Sequence, residues 1–138
     1  MTGRHRLIAG GLILLGVAMA AGLVAFASVA CPVDTEAQPC PRAGSNLAIG
    51  VLMAVAAVAL LVTPFAFLAE VLARRRIVFR GAWRRAARRG ALAGLVVGAF
   101  AGLRLAGTMS VPIALFVLTV GAAAEWLAIQ RDPVEVTR

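Results

Sequence analysis

Long apolar runs broken by short polar stretches set the pattern of this chain. Residues 7–30 carry no charge, and residues 47–73 carry one acid, Glu70, near their end. Residues 91–108 hold a single arginine and residues 111–129 a single glutamate. A helix rises about 1.5 Å per residue and the hydrocarbon core of a bilayer is about 30 Å thick, so about 20 apolar residues make a span. The first two runs exceed that length, and the last two, at about 27 to 29 Å, just reach across. All four are rich in Ala, Leu and Gly and lack the two-residue alternation of a membrane barrel, which disfavours strands. The pattern predicts an all-α, polytopic membrane protein with four transmembrane helices in one domain, 1–138. An outer loop, 31–46, and a basic inner loop, 74–90, would separate the spans. Only Met109 and Ser110 stand between the third and fourth runs. Ser110 suits an N-cap and Pro112 falls in a first turn, where its missing N–H costs nothing, so these two spans read as a tight hairpin.

Composition strengthens this reading. The chain is 62% hydrophobic and 14% charged, whereas soluble domains are about 45 to 50% apolar and about 25% charged. Its net charge of +8 comes entirely from arginine, since lysine is absent, a usage that suggests a GC-rich bacterial genome. Arg4 and Arg6 precede the first run, eight arginines crowd residues 74–90, and Arg131 and Arg138 follow the last run. The linker 31–46 holds only Arg42. Short cytoplasmic loops retain positive charge, so both termini are expected in the cytoplasm of a bacterial plasma (inner) membrane. Arg4 and Arg6, followed by an apolar run ending in Ser28, Val29, Ala30 and Cys31, also fit a cleaved signal or a loose lipobox. The apolar core of a signal is about 7 to 15 residues, shorter than this run, so an uncleaved span is expected.

Cys31 and Cys40 are the only cysteines and both lie in the outer loop. An oxidising exterior makes a disulfide the natural reading. A thiol-disulfide enzyme is the functional alternative, but the spacing is not Cys-x-x-Cys and there is no second pair to receive electrons. Neither a histidine nor a third cysteine is near enough in sequence to complete a metal site.

The inner loop sorts by face. On a helical wheel Arg80, Arg84, Arg85, Arg88 and Arg89 share one half, while Phe79, Ala82, Trp83, Ala86 and Ala87 share the other. Such a helix is expected to lie in the interface, with Phe79 and Trp83 among acyl chains and the arginines on anionic lipid headgroups. The plainer reading is that these arginines only set topology, and specific binding of an anionic lipid or of an acidic partner protein is the functional alternative. The sequence pI of about 11.7 permits nucleic acid, but the adjoining bilayer competes for the charge and no nucleic-acid motif is present, so no nucleic-acid partner is expected.

Gly90, Gly94, Gly98 and Gly102 recur every four residues and form a stripe without side chains. Small-xxx-small stripes let helix backbones approach closely in lipid. The expected partner is another helix of the same chain, with Ala18, Gly22, Ala21 and Ala25 of the first run as a candidate counterpart, or else a second subunit. Three ionisable residues fall inside the runs. Glu70 is four residues before Arg74, the spacing of a helical ion pair. Arg104 and Glu125 lie deeper, and an intramembrane charge is a functional hypothesis by default. Their side chains are expected to incline toward each other along the hairpin, bridged by water or lining a polar pathway, or else to snorkel to the nearer headgroups.

No nucleophile-base pair, phosphate loop, metal-ligand cluster or intramembrane histidine is apparent, and His5 is the sole histidine. The expectation is a small non-enzymatic integral membrane protein without a cofactor. It would act as an accessory, assembly or scaffolding subunit packing through its glycine-stripe helix. Its expected partners are the lipid bilayer, anionic lipid above all, and either further copies of itself or a larger membrane complex. The alternative is a small oligomeric channel or carrier using Arg104 and Glu125. In size and span count alone the chain resembles the small multidrug exporters, whose first span carries a membrane-embedded acid that the first run here lacks.

Overall fold

The computed structural model describes residues 3–31, 39–73 and 81–130, and within these it is all-helical. In chain order the helices are α1 (Gly3–Val29), α2 (Ala43–Ala73), α3 (Ala82–Leu105) and α4 (Val111–Gln130). All four are long and apolar enough to cross a membrane, which marks a multi-pass membrane protein. Residues 1–2, 32–38, 74–80 and 131–138 fall outside the description.

The largest departure from the expected boundaries is at α3. Its helix begins at Ala82 rather than at residue 91, so nine residues assigned to a separate interfacial segment continue directly into the span. Arg and Ala are both good helix formers, and nothing between them breaks the helix. The 24 residues of α3 extend it to about 36 Å. Gly81 precedes the helix at φ +79°, a left-handed turn that glycine adopts without steric cost. At the other end Gly107, at φ +67°, closes a Schellman turn: its N–H donates to the Arg104 carbonyl, and the Thr108 N–H to the Leu103 carbonyl. The chain then re-enters helix at Val111, where the Ser110 carbonyl accepts the Ala114 N–H. The α3–α4 turn thus occupies 106–110, longer than the two residues expected.

The helices lie in a row rather than a closed bundle. Among the described residues α1 packs on α2, α2 on α3, and α3 on α4, with no backbone approach between other pairs. The α2–α3 seam is the most extensive and the α3–α4 seam the slightest. The stripe of α2 formed by Val51, Val55, Ala59 and Thr63 faces α3, and the opposite side, with Met53 and Leu61, faces Gly22 and Gly16 of α1. Gly16 is the only buried residue of α1, and α4 has none.

Candidate functional site

The polar chemistry of the molecule gathers at the end where α1 and α3 begin and α2 and α4 finish. Trp83 stacks on Phe67 with ring centroids 4.1 Å apart and an interplanar angle of 12°. Its indole Nε1 donates to His5 Nδ1 at 3.1 Å, which ties the start of α1 to α3 across α2. Phe67 is fully buried, and Ala82 and Ala86 complete the cluster. Ala82, Trp83 and Ala86 of the predicted apolar half thus pack with Phe67, while Ala87 is exposed. α3 runs straight through from Ala82, which turns Trp83 toward Phe67 of α2. Phe79 and Arg80 lie outside the described residues.

The arginine half divides between two neighbours. Arg85 Nε donates to Glu70 Oε1 at 2.6 Å, joining α3 to α2, with the side chains 22% and 7% exposed. Arg89 Nε donates to Glu125 Oε1 at 2.8 Å, joining α3 to α4. One donor of Arg88 reaches the Ala128 carbonyl of α4 at 3.2 Å. Arg84 is exposed. Two of the four described arginines assigned to lipid headgroups are thus bound to carboxylates, and Glu70 meets Arg85 across the α2–α3 seam. Arg74, the expected partner of Glu70, lies outside the described residues. Neither ion pair was visible in the sequence, because placing the start of the span at residue 91 separated these arginines from the acids. Counting back from a turn at 106–110 in an antiparallel hairpin sets residue 125 level with residue 91, half a turn from Arg89, and that count would have brought the second pair within reach.

Arg104 and Glu125 are not brought together. Arg104 stands in the last turn of α3, exposed, beside Ser110 and Val111. It is fifteen residues, about 22 Å of helix, from the level of the Arg89–Glu125 pair. The earlier start of α3 moves its centre away from Arg104, so a residue expected inside the bilayer becomes a helix-terminal one. There a cation interacts favourably with the carbonyl end of the helix dipole. Every ionisable side chain of the described helices falls within about two turns of a helix end, and the middle of each helix is free of charge.

The glycine stripe is used within the chain, and its partner is α2 rather than α1. A Cβ at Gly90 or Gly94 would lie 2.6 Å from the carbonyl oxygens of Ala59 and Val55 respectively, and one at Gly98 would strike the Val55 side chain. The Thr63 hydroxyl, turned back onto the Ala59 carbonyl at 2.6 Å, closes the same contact beside Gly90. Pro64 follows it inside α2, where it leaves the Leu60 carbonyl without a helical donor. Gly102 drops out of the stripe, with open space where its side chain would be. Ala18, Ala21 and Ala25 of α1, the candidate counterpart, are exposed.

At the opposite end Cys31 and Cys40 form a disulfide with Cα atoms 6.3 Å apart. Asn46 Nδ2 donates to the Cys31 carbonyl at 3.1 Å, fixing this staple to the first turn of α2. Among the described residues no cluster of His, Cys, Asp and Glu has the arrangement of a metal site. No protein-family model, curated protein sequence or solved structure matches the chain.

Proposed function

We propose that this protein is a non-enzymatic accessory or assembly subunit of a larger membrane complex, embedded in a bacterial plasma membrane with both termini in the cytoplasm. The observation that carries the reading is the open row. Among the described residues α4 packs on α3 alone and buries none of its own residues, so most of its apolar surface faces outward. The glycine stripe, the surface best suited to tight helix pairing, is already occupied by α2 at Gly90, Gly94 and Gly98. Association would therefore use the outer faces of α4 and α1. The excess of arginine at one end supports the orientation by the positive-inside rule.

A channel or carrier built on Arg104 and Glu125 within one chain is the less favoured reading. Those groups lie at opposite ends of the hairpin, and Glu125 is engaged by Arg89. Gentle detergent extraction and mass measurement of the intact assembly test the proposal, with more than one chain or a co-purifying protein as the expected result. A lone monomer would overturn it. A reporter fused after Arg138 tests the orientation independently and should be active only in the cytoplasm.

A further inference from the structure

The sole histidine of the chain stands where a proton would change the packing. Its Nδ1 accepts the Trp83 indole N–H at 3.1 Å. An indole nitrogen can only donate, so this bond requires a lone pair on Nδ1 and places the proton of the neutral ring on Nε2. The imidazole also lies against the apolar cluster, its centroid 5.8 Å from that of Phe67 and 6.3 Å from that of Trp83. Among the described residues α1 and α3 make no backbone approach, and this hydrogen bond joins them across α2. The tight contacts of α1 with α2 lie farther along the helix, where Gly16 faces Leu61 and Gly22 faces Met53. The start of α1 is therefore tied to α3 by a bond whose acceptor can take up a proton, whereas the middle of the helix is seated by apolar packing.

We propose that the His5–Trp83 bond is a pH-sensitive latch, which holds the first turns of α1 to α3 while the imidazole is neutral and releases them when it is protonated. Histidine is the side chain whose ordinary charge change falls between about pH 5 and 8. A proton on Nδ1 turns the acceptor into a second donor, so two N–H groups face each other and the part-buried indole loses its partner. The charged ring is still attracted by the faces of Phe67 and Trp83, but that attraction leaves the indole donor unpaired. The charged groups nearest in sequence to this contact are Arg4 and Arg6 beside His5 on α1, Glu70 one turn beyond Phe67 on α2, and Arg84 and Arg85 following Trp83 on α3. Glu70 is bound by Arg85 and is the other group there that acid can discharge, so the test has to separate it from His5.

The test is amide hydrogen exchange of the full chain in detergent at about pH 8 and about pH 5, corrected for the intrinsic pH dependence of exchange and read as protection factors. Protection of the Leu7 to Gly10 amides should fall about fivefold at the lower pH, the equilibrium value of one hydrogen bond. Protection around Gly16 should stay constant. His5→Asn sets an amide oxygen, which does not titrate, at nearly the reach of Nδ1 and should keep the higher protection at both pH values. Trp83→Phe keeps a stacked ring, removes the donor and should show the lower protection at both. Equal protection of the unaltered chain at the two pH values would overturn the proposal, as would a pH response retained by Trp83→Phe. A response that survives His5→Asn would overturn it by assigning the titration to another group, Glu70 foremost. One that spreads through Gly16 would overturn it by making the effect a property of the whole α1–α2 seam.

Discussion

α3 meets its two neighbours in opposite ways. Against α2 it has no side chains at Gly90, Gly94 and Gly98, and the Ala59 and Val55 carbonyls occupy the space a Cβ would need at the first two. Against α4 the contact is sparse, with Gly121 meeting Val96 and with polar links near one end. In lipid an apolar surface gains little by leaving the acyl chains, so helices associate through close packing or through polar groups. The first seam relies chiefly on close packing, reinforced by Arg85–Glu70, and the second on Arg89–Glu125 and Arg88–Ala128. A seam packed closely from Gly90 to Gly98, over about two turns, cannot slide or splay without losing its whole length. A seam held near one end can hinge at the other.

The sharpest way to break this contrast is Gly94→Leu. A side chain there meets backbone rather than a movable group, so the loss of stability to denaturing detergent should exceed about 3 kcal/mol, the upper range for overpacking. Next in size is Glu70→Ala, which strands Arg85 in a partly buried position. About 3 kcal/mol is expected, the lower end for breaking a buried pair, because Arg85 is 22% exposed. On the other seam Glu125→Gln should cost only about 1 kcal/mol, since that pair is 36% and 27% exposed. Hydrogen exchange should then accelerate in α4 while α1 to α3 keep their protection, and uniform acceleration would show that the two seams are not independent. The smallest effect has the opposite sign. Gly102→Ala should stabilise by up to about 1 kcal/mol through helix propensity alone, because nothing stands where the new methyl group goes. A loss there as large as at Gly94 would mean that the stripe has a fourth step and a partner beyond α2.

Much of the architecture could be read directly from the chain. The four helices follow from the apolar runs, and the small residues at 90, 94 and 98 announce a close helix contact. Which helix would fill the stripe was not legible, because α1 offers small residues at the same spacing and only the row Val55, Ala59 and Thr63 decides in favour of α2. The polar end was misread through a boundary. Arginines mark a topological edge in sequence, yet a helix of Arg and Ala does not stop at that edge when carboxylates on both neighbours receive the guanidinium groups. The wheel groups Ala82, Trp83 and Ala86 on one side of residues 82–89, but it could not say that these three would pack with Phe67. Arg104 shows the converse error, since a residue counted as interior becomes terminal once the helix is extended at its other end.

The staple between Cys31 and Cys40 has a consequence for the life of the chain after synthesis. It spans the whole of 32–39 and joins the end of α1 to the entry of α2. A protease that cuts anywhere in that stretch produces two fragments that still travel as one molecule, separable only by a reductant. The segment can thus be nicked without releasing α1, and fragment mobility with and without dithiothreitol would reveal it.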